Sequence, residues 1–232
     1  VGARTFAAAV AAATVLAGLG GCVSVDTANL DEPRGDGGGG SSSDVKVDVA
    51  EARDKLAGLE VKGRAPMTGF DRDEFGPAWA DVDRNGCDTR NDILKRDLED
   101  ETFKKGTHDC IVLTGTLHDP YSGKTIEFRR GQETSLKVQI DHVVALADAW
   151  QKGAQRWPEE RRKEFANDPD NLLAVDGPLN GQKGAGDAAT WLPPRRGYRC
   201  AYVARQIDVK AEYELWVTSA EKAAMERILD GC

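Results

Sequence analysis

The sequence is poor in histidine, with three in 232 residues. His108, His118 and His142 share no helical face, which argues against a three-histidine zinc centre. No C-x-x-C pair occurs among Cys22, Cys87, Cys110, Cys200 and Cys232, so zinc-knuckle spacing is missing as well. There is no internal repeat. Excess positive charge is also absent: the net charge is -8, and the residues beyond position 43, which leave behind two basic and four acidic side chains, still carry -6. Long-range steering toward a polyanion is therefore expected to be poor, and binding to rely on local Arg and Lys plus a metal. The uncharged run from Thr5 to Gly21 is too short and too rich in small residues for a membrane span.

What is present starts with that run. Behind the single basic Arg4 it reads as a secretory leader, and Leu19-Gly20-Gly21-Cys22 resembles a bacterial lipobox with Cys22 as the lipidated residue. Setting Cys22 aside leaves four cysteines, the number expected for two disulfides in an exported domain. Of the three pairings, Cys200 with Cys232 is favoured because they would fall at opposite chain ends of an antiparallel helix pair, and Cys87 with Cys110 follows by elimination. The Gly37–Gly40 and Ser41–Ser43 runs cannot bury apolar surface and read as tether. The expected organisation is thus a lipoprotein-type signal peptide over 1–21, a flexible linker over 22–44 and one folded domain over 45–232, with 40% hydrophobic residues to supply its core.

Within the domain, Ala52, Leu56 and Leu59 recur at helical spacing, and Thr89 with Asp92 resembles a capped start for a helix carrying Ile93, Leu94 and Leu98. Ile111–Leu117 and Lys124–Arg129, alternating around the turn-rich Asp119–Gly123, predict a β-hairpin. Val138–Val144 reads as a β-branched strand, Leu146–Trp157 as a helix, and Pro158-Glu159-Glu160 as the first turn of another. Asn171–Val175 reads as a second strand, followed by a Gly177-Pro178 turn and a helical start through Lys183. Ala201–Leu215 and Ser219–Leu229 read as helices, the latter opened by a Thr218/Glu221 capping box.

Chemistry is expected where an apolar strand carries groups it has no packing use for. Asp141 and His142 sit side by side on the first central strand, Asn171 opens the second, and Asn180 and Lys183 lie on the following helix. Gln139, two residues before Asp141, shares its face of the strand. Adjacent Asp141 and His142 point to opposite faces of a regular strand, so a joint role requires the strand to end or bulge there. Taken singly, each group has a structural alternative, such as a strand-end pair or a helix cap.

Taken in order, these residues resemble the HNH nuclease superfamily, and more closely the secreted actinobacterial relatives of the C-terminal nuclease domain of GmrSD-type restriction enzymes. The resemblance extends to Asn85–Arg90, Asp119–Gly123 and Trp191-Leu192-Pro193-Pro194. It implies an α+β fold with a ββα-metal core, preceded by the hairpin and flanked by helices, the two helices between the strands being a departure from compact members. It implies His142 as general base, Asp141 and Asn180 as ligands of one divalent cation, Asn171 as the residue holding the loop beside the base, and Lys183 as a contact to phosphate. Hard oxygen ligands suit magnesium, with manganese the alternative. The implied activity is metal-dependent endonucleolytic hydrolysis of DNA, with RNA as the alternative substrate. A noncatalytic envelope lipoprotein that keeps the frame for binding is the competing function. A lipid anchor is the expected membrane contact, and no protein partner is predicted.

Two further groups remain. Arg90, Arg129, Arg130, Arg195, Arg196 and Arg199 are candidate nucleic-acid contacts, with a surface ion pair as the equal alternative for Arg90 and a solvated rim for the others. Asp81-Val82-Asp83-Arg84-Asn85-Gly86 matches the first half of an EF-hand calcium loop, but position 12 is Asp92 instead of Glu, and a turn into the next helix explains the segment better.

Overall fold

The computed structural model describes Gly2 and residues 47–232; the expected leader, Cys22 and the linker lie outside the described residues. Helix α1 (Val49–Gly58) starts where the Asp48 carboxylate accepts the Glu51 amide at 3.0 Å, and it buries Ala52 and Leu56. Helix α2 (Thr89–Asp97) is capped by Asp88, which accepts the Asn91 N–H at 2.8 Å. The expected cap at Thr89 is thus displaced by one residue, and the Thr89 hydroxyl donates to the Ala80 carbonyl instead.

Leu98, expected on that helix, begins strand β1 (Leu98–Phe103), which the sequence reading missed. Strand β1 pairs antiparallel with β2 (Val112–His118), and β2 with β3 (Thr125–Arg129). The predicted hairpin is therefore two strands of a three-stranded sheet in the order β1-β2-β3. The Glu99-Asp100-Glu101 run hides β1 from a propensity argument, yet charge is suited to an edge because it discourages further pairing.

The second sheet has two strands. Strand β4 (Val138–His142) pairs antiparallel with β5 (Leu172–Asp176) in unbroken register, from Val138 opposite Asp176 to His142 opposite Leu172. Between them run α3 (Leu146–Gln151) and α4 (Glu159–Asn167). The helix predicted over Leu146–Trp157 breaks at Gly153, whose φ of 137° suits glycine, and a 3₁₀ turn at Ala154–Arg156 follows. After β5, the Asp176 carboxylate accepts the Leu179 amide at 2.9 Å and opens α5 (Gly177–Lys183) with Pro178 in its first turn. Strand, strand and helix thus follow one another with an insertion after the first strand.

Helices α6 (Arg199–Glu212) and α7 (Ser219–Leu229) close the chain, α7 with the reciprocal Thr218–Glu221 cap. Disulfides join Cys200 to Cys232 and Cys87 to Cys110, with Cα separations of 5.9 and 5.0 Å. Both expected pairings are present, and the first ties the start of α6 to the residues after α7. Each contributes on the order of 3 kcal/mol by restricting the unfolded chain. The described part of the chain is α+β.

The β4–β5 ladder separates two apolar clusters. Leu173 and Val175 face Tyr121, Tyr202, Val203 and Ile207, whereas Val138, Ile140, Leu172 and Ala174 face Ile93, Leu94 and Phe128. A fully buried charge network braces the first side: Lys152 contacts Asp148, Asp187 and Glu221 at 2.6 to 2.9 Å, and Lys210 contacts Asp148 and Glu221 at 3.0 Å. It joins α3, α6, α7 and the segment after α5, so removal of one partner would strand a buried charge.

Gly177 sits at the β5–α5 junction, where an added Cβ would run into the Leu136 carbonyl, while Gly181 on the same helix has open space. Thermal melts should show Gly177→Ala strongly destabilised, and Gly181→Ala unchanged or stabilised by up to about 1 kcal/mol. Equal melting of the two variants would contradict the close approach at this junction.

Candidate active site

Because β4 stays in regular register through its last residue, Asp141 and His142 project to opposite faces of the ladder. The strand ends at His142, and it does so without a bulge. All five β4 residues find partners on β5, which leaves nothing to break the alternation.

Asp141 faces the tyrosine-rich cluster. Its Oδ1 accepts from Lys183 Nζ at 2.9 Å and its Oδ2 from the Tyr121 hydroxyl at 2.6 Å, all three side chains being buried. Lys183 also donates to the His142 carbonyl at 2.7 Å, tying α5 to the end of β4. Burial raises the Asp141 carboxyl above the ordinary carboxylate range, and the Lys183 charge and the Tyr121 hydroxyl offset part of that rise. Tyr121 is itself held by its loop. Asp119 accepts from Ser122 N–H and Oγ at 2.7 and 2.5 Å, and its other oxygen accepts the Asp176 amide at 2.9 Å.

His142 faces the other way, 8% exposed. Its Nε2 lies 2.8 Å from the Ala166 carbonyl, which can only accept, so Nε2 carries the proton and Nδ1 is the basic nitrogen of the neutral ring. The Trp79 indole lies nearly parallel to the imidazole, 6.2 Å between centroids at 13°. Both rings line a cavity of about 210 Å³ together with Arg72, Phe75, Leu146 and Asn167. Burial lowers the His142 pKa to about 4, the bond to Ala166 works against this, and the charges of Arg72 and Lys183 add to the lowering.

Asn171 secures the loop that follows. Its Oδ1 accepts the Val144 amide at 2.8 Å, its Nδ2 donates to the Val144 carbonyl at 3.2 Å, and its own carbonyl accepts the Val143 amide at 2.8 Å. Asn180 donates through Nδ2 to Gln139 Oε1 at 2.9 Å. Gln139 and Asp141 share a strand face, so Asn180 belongs to the Asp141 side.

The donor types, one carboxylate and one carboxamide, suit a hard cation, but their arrangement does not fit one. Both Asp141 oxygens are engaged, an ammonium already neutralises the group, and His142 is across the sheet. Among the described residues no group of three or more His, Cys, Asp or Glu side chains is placed to hold a metal. In the Asp81–Asp92 segment, Asp81 accepts the Asn85 and Gly86 amides and Asp92 accepts from the Asn85 carboxamide, the pattern of a turn leading into α2.

The candidate arginines fall in two groups, Arg90 with Arg129 and Arg130, and Arg195 with Arg196 and Arg199. Arg90 lies over the Phe128 ring, Arg130 donates to the Val112 carbonyl and to Asn91, and Arg199 donates to the Pro193 carbonyl at 2.8 Å. Arg129 and Arg196 are exposed, and Arg195 is half-buried beside the Tyr121 loop, its amide donating to the Tyr121 carbonyl at 3.0 Å. His118 ends β2, 3.2 Å from Glu99, and His108 lies in a turn at φ 51°.

Sequence reasoning did not single out Trp79, Arg72 and Asn167. The positive φ of Trp79, 60°, has no sequence signature, and its meeting with a ring 63 positions later is a purely tertiary contact.

Two comparisons bear on kinship. The family model described as GmrSD restriction endonucleases, C-terminal domain, matches residues 88–228. A protein of Arthroderma benhamiae described as an uncharacterized secreted protein is 38% identical over 186 residues, 79% of this chain and 86% of the relative. No solved structure matches. The relative is fungal, so the narrower expectation of an actinobacterial branch does not hold.

The lowered His142 pKa has a consequence for stability. Between about 6.5 and about 4 the unfolded chain binds a proton that the folded chain does not, so His142 costs stability as pH falls through that window. Glutamine cannot titrate, so the melting-temperature difference between wild type and His142→Gln should shift against wild type on acidification from pH 6.5 towards 4. A pH-independent difference would contradict the buried neutral imidazole.

Proposed function

Since the chain belongs to the family of GmrSD restriction endonuclease C-terminal domains, we propose that it hydrolyses phosphodiester bonds within DNA, with RNA as the alternative substrate, and that His142 is the general base. The observation that carries this reading is the His142 ring: neutral, oriented by the Ala166 carbonyl with Nδ1 left basic, and set in a cavity wall. Nδ1 takes a proton from water as the water oxygen bonds to phosphorus. The P–O3′ bond breaks, the 3′ oxygen is protonated from solvent, and the ends are a 5′-phosphate and a 3′-hydroxyl. Substrate phosphate beside the ring favours its charged form and raises its basicity in the complex. Asn171 keeps the Val143–Val144 backbone in place behind the base.

The cation implied by the resemblance, magnesium or else manganese, would neutralise phosphoryl charge. Asp141 and Asn180 do not hold it as they are arranged, and Lys183 would have to leave Asp141 first, so no step here runs through a metal. Lys183 acts instead as the cation that fixes α5 against β4. The engagement of both Asp141 oxygens favours a second reading, a binding module that retains the frame without catalysis. For either reading, the two disulfides and the secreted fungal relative support export. Among the described residues no helix is long and apolar enough to cross a membrane. The proposed lipid anchor at Cys22 is checked by the mass of the mature N-terminus.

Supercoiled plasmid and circular single-stranded DNA, incubated with magnesium and with chelator, separate the two functional readings. Wild type should cut, and His142→Ala should be slower by about 10²- to 10⁴-fold. Equal cutting by the variant would remove His142 from the reaction, and no cutting by wild type in any divalent ion would favour the binding module.

A further inference from the structure

We propose that Trp79 and Arg72 form, with His142, a pocket for one unpaired nucleotide, so that the substrate is single-stranded nucleic acid. This rests on the reading of His142 as the base and adds the form of the substrate. The imidazole is 8% exposed in the wall of a cavity of about 210 Å³. A base that is paired and stacked in a duplex has to unstack before it can enter this cavity. An unpaired strand has no such cost.

The lining matches a nucleotide in three ways. Trp79 presents an indole nearly parallel to the His142 ring, and base stacking on such a face is tolerant of sequence. Its backbone at φ 60° is a rare conformation for a bulky side chain, so the surrounding structure holds Trp79 there against local preference. Arg72, exposed on the 3₁₀ turn Arg72–Phe75 at the same cavity, supplies a cation for a phosphate. Asn167, 1% exposed in the wall, donates through Nδ2 to the Lys163 carbonyl, and this bond fixes its orientation. Among the described residues its Oδ1 has no hydrogen-bond partner, and an N–H group of a base is the kind of donor it lacks.

Binding can be read apart from turnover with a phosphorothioate thymidine oligonucleotide, followed by tryptophan fluorescence and by anisotropy of a labelled strand. The single strand should quench wild type. Trp79→Phe should keep the affinity and lose most of the quench, and Trp79→Ala, measured below its own melting temperature, should bind on the order of tenfold to hundredfold more weakly. A duplex of the same length should compete poorly. If Trp79→Ala fails to fold, Arg72→Gln carries the test: affinity should fall, and the salt dependence should lose about one phosphate contact. Wild-type affinity in Trp79→Ala or in Arg72→Gln, or equal competition by duplex, would overturn the pocket. Undiminished cleavage by His142→Ala would instead overturn the underlying assignment of the base, and the binding data would still stand.

Discussion

The β4–β5 ladder is the constraint on which the rest of this structure depends. Five consecutive residue pairs fix the alternation of β4, and alternation alone sends Asp141 to one apolar cluster and His142 to the opposite side. A slip of one residue would exchange them. The elements around the ladder act to hold that register: Asp119 bonds the β5 end, Asn171 bonds the loop after β4, and Lys183 bonds both Asp141 and the His142 carbonyl.

The two faces divide the electrostatic work. On the Asp141 side, charges are buried in pairs and networks, from Lys183–Asp141 to the Lys152 and Lys210 cluster, and each ion is compensated by partners within 3.0 Å. Such an arrangement is costly to break and offers little to a ligand. The His142 side has the opposite character, with a neutral imidazole, an aromatic ring, an exposed arginine and a carboxamide oxygen without a partner among the described residues around one cavity. In a protein of net charge -8, a local cation and a stacking surface are the means available for holding a polyanion.

Much of this was legible in the sequence because it is local. The Asp141-His142 strand, the Asn171 strand and the Pro178 helix start all carry short-range signals, as do the Thr218–Glu221 cap and the cysteine arithmetic behind both disulfides. Strand β1 was not legible, because Glu99, Asp100 and Glu101 disguise an edge strand. The apolar periodicity from Leu146 runs on past Gly153, whose positive φ ends the helix in the folded chain. The candidate residues were legible one by one, and their arrangement was not. Alternation warned that Asp141 and His142 diverge, but only the pairing with β5 shows that no bulge reunites them, and Tyr121 and Lys183 on Asp141 are contacts between distant segments. Trp79 over His142 is of the same kind: periodicity cannot report a contact that depends on how a loop crosses a sheet.

The central claim is that the His142 imidazole accepts the proton of the attacking water. Chemical rescue tests it most directly: cleavage of circular DNA by His142→Ala, measured with increasing free imidazole at fixed pH. The account predicts a variant that is nearly inactive alone and regains cleavage in proportion to the neutral imidazole added. A His142→Ala protein that cuts as fast as wild type without imidazole would contradict it.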